Sequence, residues 1–163
     1  MVRILSVLLL VAWSAPALAA DGFRYENARY GFVIDIPPGF ADTGDVGDGD
    51  GDVFTSDDGT ARLTVAGGSV LAGSFNAEWE RRQAAYRDDG WTIRYEPVAP
   101  DWTTFTGLRA DRRLVVKLLP LCGGTRQFAM FALEYPAAAA AALTPVVERL
   151  SASLTRAGTG LSC

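Results

Sequence analysis

The chain has 163 residues, nearly half of them hydrophobic, with 15 basic against 19 acidic side chains, and it contains no histidine. A net charge of −4 without a broad basic face argues against a general nucleic-acid role. The absence of histidine excludes Ser-His-Asp and Cys-His catalysis and imidazole-based metal sites.

The first twenty residues, MVRILSVLLLVAWSAPALAA, combine a basic start at Arg3, an apolar run from Ile4 to Trp13 and a small-residue ending. That is the pattern of a secretory signal peptide, with cleavage expected after Ala19 or Ala20. The apolar run is short for a membrane span, and no second one approaches the required length, so no membrane insertion is expected. Residues 21–163 then form one domain, exported and periplasmic or secreted, with no interior linker or repeat. Loss of Arg3 takes the formal charge from −4 to −5.

In RYGFVIDIP, residues 29–37, Tyr30, Phe32, Ile34 and Ile36 alternate with Gly31, Val33 and Asp35, the period of a half-buried strand. Residues 52–56 and 61–68 read as two further strands around the Asp57–Gly59 turn, since Asp-Gly between apolar runs is a hairpin signal. A helix follows, capped by Ser74 or Asn76, with Glu78 and Glu80 in its first turn. Phe75, Trp79 and Tyr86 lie on one face, and Gly90 ends it. Four strand-like runs come next, within 91–99, 102–110, 113–121 and 126–136, the middle pair joined by a tight turn at Ala110–Arg112. Thr144 before Pro145 predicts the cap and first position of a last helix, with Leu143, Val147, Leu150 and Leu154 as its buried stripe. The alanine run 137–142 is a short extra turn or a lead-in. Consecutive strands with two helices predict an α+β domain, an antiparallel sheet of about six or seven strands with two packed helices.

The segment Tyr30–Ala61 carries eight aspartates and no lysine or arginine. Asp48, Asp50 and Asp52 match the alternating carboxylates of an EF-hand loop, but Val53 stands where that loop needs glycine and Gly59 where it needs glutamate. Two readings remain for 42–52: a loose calcium site on Asp48, Asp50 and Asp52, or a long polar turn in which Asp and Gly supply the geometry. Mutual repulsion predicts an extended, mobile loop at low salt unless a cation is present. No other cofactor is indicated. Arg109, Arg112, Arg113 and Lys117 form the one basic cluster, either a solvated hairpin end or a binding patch. Trp79, Trp91 and Trp102 fill the core or line a ligand groove.

Cys122 and Cys163 are the two cysteines, and in an oxidising compartment they predict a disulfide. The loop so closed, about 40 residues, corresponds to roughly 4 kcal/mol of chain entropy. No residue is assigned a catalytic role. Glu78, Glu80 and Glu134 show no spacing that pairs two acids across a cleft, and the helical ones are expected to be exposed.

Three short motifs together resemble a group of uncharacterised exported bacterial proteins: Asn27, Tyr30, Gly31, Phe32 and Pro37; Phe54, Ser56, Asp58 and Gly59; and Tyr135 with Pro136. That group is similar in strand and helix order to the PsbP-like fold, which is named for an extrinsic subunit of the photosynthetic oxygen-evolving complex. A nuclear import factor that binds the GTPase Ran is similar to it too. The resemblance implies an antiparallel sheet flanked by helices and a small non-enzymatic domain that docks on a larger partner; with the expected export, the leading expectation is an accessory domain docking on another envelope protein. It transfers no catalytic residues, and the acidic segment departs from it. A calcium- or small-ligand-responsive module using residues 42–52 is the alternative, and a hydrolase with an unrecognised carboxylate site comes third.

Overall fold

The computed structural model describes residues 22–95, 99, 101–124 and 126–158. The expected signal peptide and Cys163 lie outside the described residues. In chain order the elements are β1 (Phe23–Asn27), β2 (Phe32–Ile36), β3 (Phe40–Asp45), β4 (Gly51–Ser56), β5 (Arg62–Ser69), α1 (Phe75–Asp88), β6 (Thr92–Tyr95), β7 (Thr103–Arg109), β8 (Arg112–Leu121), β9 (Gln127–Pro136), α2 (Ala140–Ser153) and β10 (Thr155–Arg156). Seven strands form one sheet in the order β3-β4-β5-β9-β8-β7-β6, and β1-β2-β10 form a second, smaller one. Every pairing is antiparallel. The expected α+β class and its seven-stranded sheet are therefore observed.

Strand alternation gives the large sheet two apolar faces, and each is covered by a different layer. On one face Leu63, Val65, Val115, Phe131 and Leu133 meet Phe32, Ile34 and Ile36 of the small sheet, Leu150 of α2 and Leu154 just after it. On the other face Phe105, Leu114, Val116, Leu118, Phe128 and Met130 pack beneath α1 through Trp79. Trp91 is buried in that second cluster as well, so Trp79 and Trp91 are core residues. Trp102 is half-buried, with the Lys117 ammonium 5.3 Å from its ring centroid.

Ser74 caps α1 as expected: its hydroxyl accepts from the Ala77 N–H at 3.2 Å. The last helix starts earlier than Thr144. The alanine run makes a 3₁₀ turn over Ala137–Ala139 and then the opening of α2, which leaves Pro145 inside the helix. Alanine's high helix propensity outweighs the one backbone bond that an early proline removes. The Thr144 hydroxyl, freed from capping, donates back to the Ala140 carbonyl at 3.0 Å. The turn between β7 and β8 is as short as expected, with Arg109 paired to Arg112 and Ala110 at a φ of 51°.

The basic cluster is divided by the sheet. Arg109 and Arg112 lie on the α1 face, where Arg112 Nε is 2.7 Å from Glu134 Oε1 and Arg109 bonds Asp89 Oδ2 at 2.9 Å. Lys117 points the other way and donates to the Ser151 carbonyl of α2 at 2.5 Å. Burial holds the Lys117 ammonium below its ordinary pKa, against the opposing charge of Asp101.

Candidate functional site

The acidic segment 42–52 is a β-hairpin rather than a long loop. Asp42 and Asp45 stand on β3, Asp52 on β4, and Asp48 and Asp50 in the turn between them. β3 pairs with β4 through a register shift between Asp42 and Gly44. It is an edge strand of the large sheet, with Phe40 buried and the rest exposed. The turn needs three consecutive left-handed residues, Gly47, Asp48 and Gly49, with φ of 96°, 49° and 79°. Glycine adopts this region freely and aspartate tolerates it, which is why the segment alternates the two. Val46 N–H closes the turn on the Gly51 carbonyl at 2.9 Å.

The end of β1 and the turn after it hold the hairpin. Asn27, only 5% exposed, donates through Nδ2 to the carbonyls of Gly49 at 3.1 Å and Asp50 at 3.3 Å. Its Oδ1 accepts from the Tyr30 N–H at 3.0 Å. The Tyr30 hydroxyl donates to Asp50 Oδ1 at 3.1 Å, and Arg29 forms an ion pair with the same oxygen at 3.1 Å. Arg29 also donates to the Asp48 carbonyl. The Tyr30 ring lies directly on Gly67 of β5: a Cβ there would sit 2.2 Å from the ring, so only glycine permits this approach. The Gly67 N–H donates to the Asp50 carbonyl at 2.7 Å and completes the anchor.

The expected mobile loop is thus corrected. Repulsion among the carboxylates is real, but these partly buried bonds and one arginine oppose it. Tyr25 extends the anchor, packing edge-on against Phe54 at a centroid distance of 5.7 Å. Its phenol is pushed up to about 12, by burial first and then by its hydrogen bond to Asp52 and the charges of Asp52 and Asp42, with Asn27 opposing. Tyr30 is raised for the same reasons: burial, then the Asp50 hydrogen bond and charge, with Arg29 opposing.

Asp50 therefore serves Tyr30 and Arg29, Asp52 acts electrostatically on the Tyr25 phenol, and Asp48 stays exposed at the tip. Among the described residues no group of three or more carboxylate or thiol side chains is placed to hold a metal ion, and the three aspartates read as a loose calcium site do not converge. Asp42 and Asp45 satisfy local backbone, accepting from the N–H groups of Gly44 and Gly47.

Of the three glutamates weighed for acid chemistry, Glu78 and Glu134 are held by arginines, and Glu80 is exposed on α1 as expected. Glu78 is fully buried, not exposed as expected of an early helical position. Its carboxylate accepts from Arg81 NH2 at 2.5 Å, Arg82 Nε at 3.1 Å and the Leu71 N–H at 3.1 Å. Burial pushes Glu78 upward, but Arg81, the Leu71 N–H and Arg82 outweigh it and hold the carboxyl below its ordinary value. Glu134 lies between Arg112 at 2.7 Å and Arg109 at 3.7 Å. Cys122 is half-buried after β8, its Sγ 3.6 Å from Gln127 Oε1.

The anchoring residues were legible only in part. Asn27, Tyr30 and Gly31 stood out as a motif at the start of a strand, but nothing in their spacing tied them to a turn some twenty residues away.

This arrangement, a seven-stranded antiparallel sheet between one helix and a helix-plus-ribbon layer, is the PsbP-like fold. The chain is similar to the solution structure of cyanobacterial PsbP from Synechocystis, with a TM-score of 0.60 and 13% identity over 90% of this chain and 98% of that one. It is similar to a point mutant of the protein Mog1, with a TM-score of 0.62 and 13% identity over 85% and 97%. The Ran-binding protein Mog1p of Saccharomyces cerevisiae gives a TM-score of 0.59 and 12% identity over 83% and 95%. No protein-family model matches the chain, and no curated protein does. At these identities the likeness is one of fold.

Proposed function

We propose that this protein is an exported, non-catalytic binding module that docks its acidic β3–β4 hairpin onto a basic patch of another envelope protein. One observation carries the reading: five carboxylates within eleven residues project from a hairpin whose backbone is fixed by Asn27, Arg29, Tyr30 and Gly67. A charged surface held in one shape loses little entropy on binding and steers an oppositely charged partner. Phe23, 46% exposed beside Phe54, and Val46, 39% exposed, add apolar contact next to the charge.

Two further points support the reading. Glu78 and Glu134 are each neutralised by arginines, and no helix of the described residues is long and apolar enough to cross a membrane. The proteins of similar fold include a Ran-binding one, a protein docking on a protein. Export rests on the first twenty residues and on the resemblance of the Asn27–Pro37 and Phe54–Gly59 motifs to exported bacterial proteins. In that compartment Cys122 and Cys163 form the disulfide that ties down the C-terminal tail.

The test is a pull-down from cross-linked envelope extract with the native protein and with the triple variant Asp42→Asn, Asp45→Asn, Asp48→Asn. Asparagine retains the local turn geometry, and Asp50 and Asp52 are left to hold Tyr30 and Tyr25. The expected result is a partner captured by the native protein, competed by salt, and lost with the variant at unchanged melting temperature. Equal capture by both proteins overturns the hairpin as the docking element.

A further inference from the structure

On the α2 face of the large sheet, the small sheet and α2 leave the β6–β7–β8 end partly open, and a cavity of about 380 Å³ lies there. Its floor is two rows of cross-strand neighbours. Tyr135, Arg113 and Leu108 make one row, and Val115, Thr106 and Arg94 the other. The pattern follows from alternation: Arg113 parts from Arg112 and shares this face with Arg94, nineteen positions earlier in the chain.

Three features mark the cavity as more than a dent in the surface. Arg94 and Arg113 have no ion-pair or hydrogen-bond partner among the described residues, whereas Arg81, Arg82, Arg109 and Arg112 all do. Tyr135 is only 4% exposed, lines the cavity, and its hydroxyl has no hydrogen-bond partner among the described residues. Leu108 and Val115 supply an apolar floor between the polar groups. Planar guanidinium groups match carboxylate and phosphate oxygens, and a volume of this order suits a small molecule rather than a polymer.

We infer that this cavity is a binding site for a small organic anion, a carboxylate or phosphate joined to an apolar body. Arg94 and Arg113 hold the anionic group, Tyr135 and Thr106 offer hydroxyls to it, and Leu108 and Val115 meet the apolar part. The site is at the β6 edge, opposite the β3 edge that carries the acidic hairpin, so it stands independently of the docking role.

The experiment is a titration of the isotope-labelled protein with phenyl phosphate, followed by backbone amide shifts, with benzyl alcohol, benzylamine and inorganic phosphate as controls. Saturable shifts confined to β6, β7, β8 and the end of β9 are expected for phenyl phosphate, with the three controls much weaker. Arg94→Gln and Arg113→Gln, both at exposed positions, should each weaken binding about tenfold while the rest of the spectrum stays native. The triple hairpin variant should bind as the native protein does, which separates this site from the docking surface. No saturable shift by about 10 mM phenyl phosphate, or equal binding by either arginine variant, overturns the site. Equal binding of inorganic phosphate overturns the organic part of the assignment.

Discussion

The β3–β4 hairpin and the underside of α1 place the same chemical group in opposite settings. At the hairpin only one of five carboxylates, Asp50, is paired with an arginine among the described residues, and most of the charge faces water. Beneath α1 a single carboxylate, Glu78, is sealed from solvent and shared by two arginines. A buried charge is tolerated only where partners surround it, so Glu78 fastens the 70–73 loop to α1 and orients Arg82, which reaches Met130 and Phe128 of the sheet. An exposed cluster costs little to hold once its backbone is fixed, and its charge stays available to a partner. The buried charge serves the fold alone; at the hairpin Asp50 serves the anchor, whereas Asp42, Asp45 and Asp48 keep their carboxylates in water.

Removing either half of this contrast should have a graded effect. The largest is expected beneath α1: Glu78→Ala leaves Arg81 and Arg82 without their acceptor and should cost about 3 kcal/mol in urea unfolding. Because the Glu78 pKa is depressed in the fold, its contribution is present above the unfolded carboxylate pKa near 4.3 and is lost as pH falls through the lower folded value. Glu78→Gln should therefore flatten the acid limb of the native stability profile, and an unchanged limb would assign acid loss to other groups.

A middle effect is expected at the anchor. Asn27→Ala strips the Gly49 and Asp50 carbonyls and the Tyr30 N–H of a buried partner and should cost about 2 kcal/mol, with faster amide exchange in the turn 46–50. If exchange there is unchanged, the turn is held by Arg29, Tyr30 and the Gly67 N–H without Asn27. The smallest effect concerns ions. Since the carboxylates do not converge, calcium and sodium at matched ionic strength should raise the melting temperature equally, by screening. A distinctly larger rise with calcium would restore Asp48, Asp50 and Asp52 as a cation site.

How much of this was readable beforehand depended on whether a signal was local. The β4–β5 and β7–β8 hairpins, α1 with its Ser74 cap, and the stripe of α2 all follow from residues close in sequence. β1, β3 and β10 were not read as strands. β3 buries only Phe40, so it lacks the apolar alternation that marks a strand, and β10 is two residues long. The acidic residues were singled out correctly as a surface feature, but their rigidity depends on Asn27, Tyr30 and Gly67, which come from β1, the turn after it and β5. The pairing of Arg94 with Arg113 is likewise a product of strand register, invisible until β6, β7 and β8 lie side by side.

The position of β3 at the sheet's margin has one more consequence. A bare edge strand offers unpaired backbone amides to any passing chain, and such edges seed aggregation unless something repels the newcomer. Asp42 and Asp45, together with the register shift between Asp42 and Gly44, make this margin inhospitable to strand addition. The aspartates of the proposed docking surface thus also disfavour pairing between copies of the protein, and variants that neutralise them should be kept dilute.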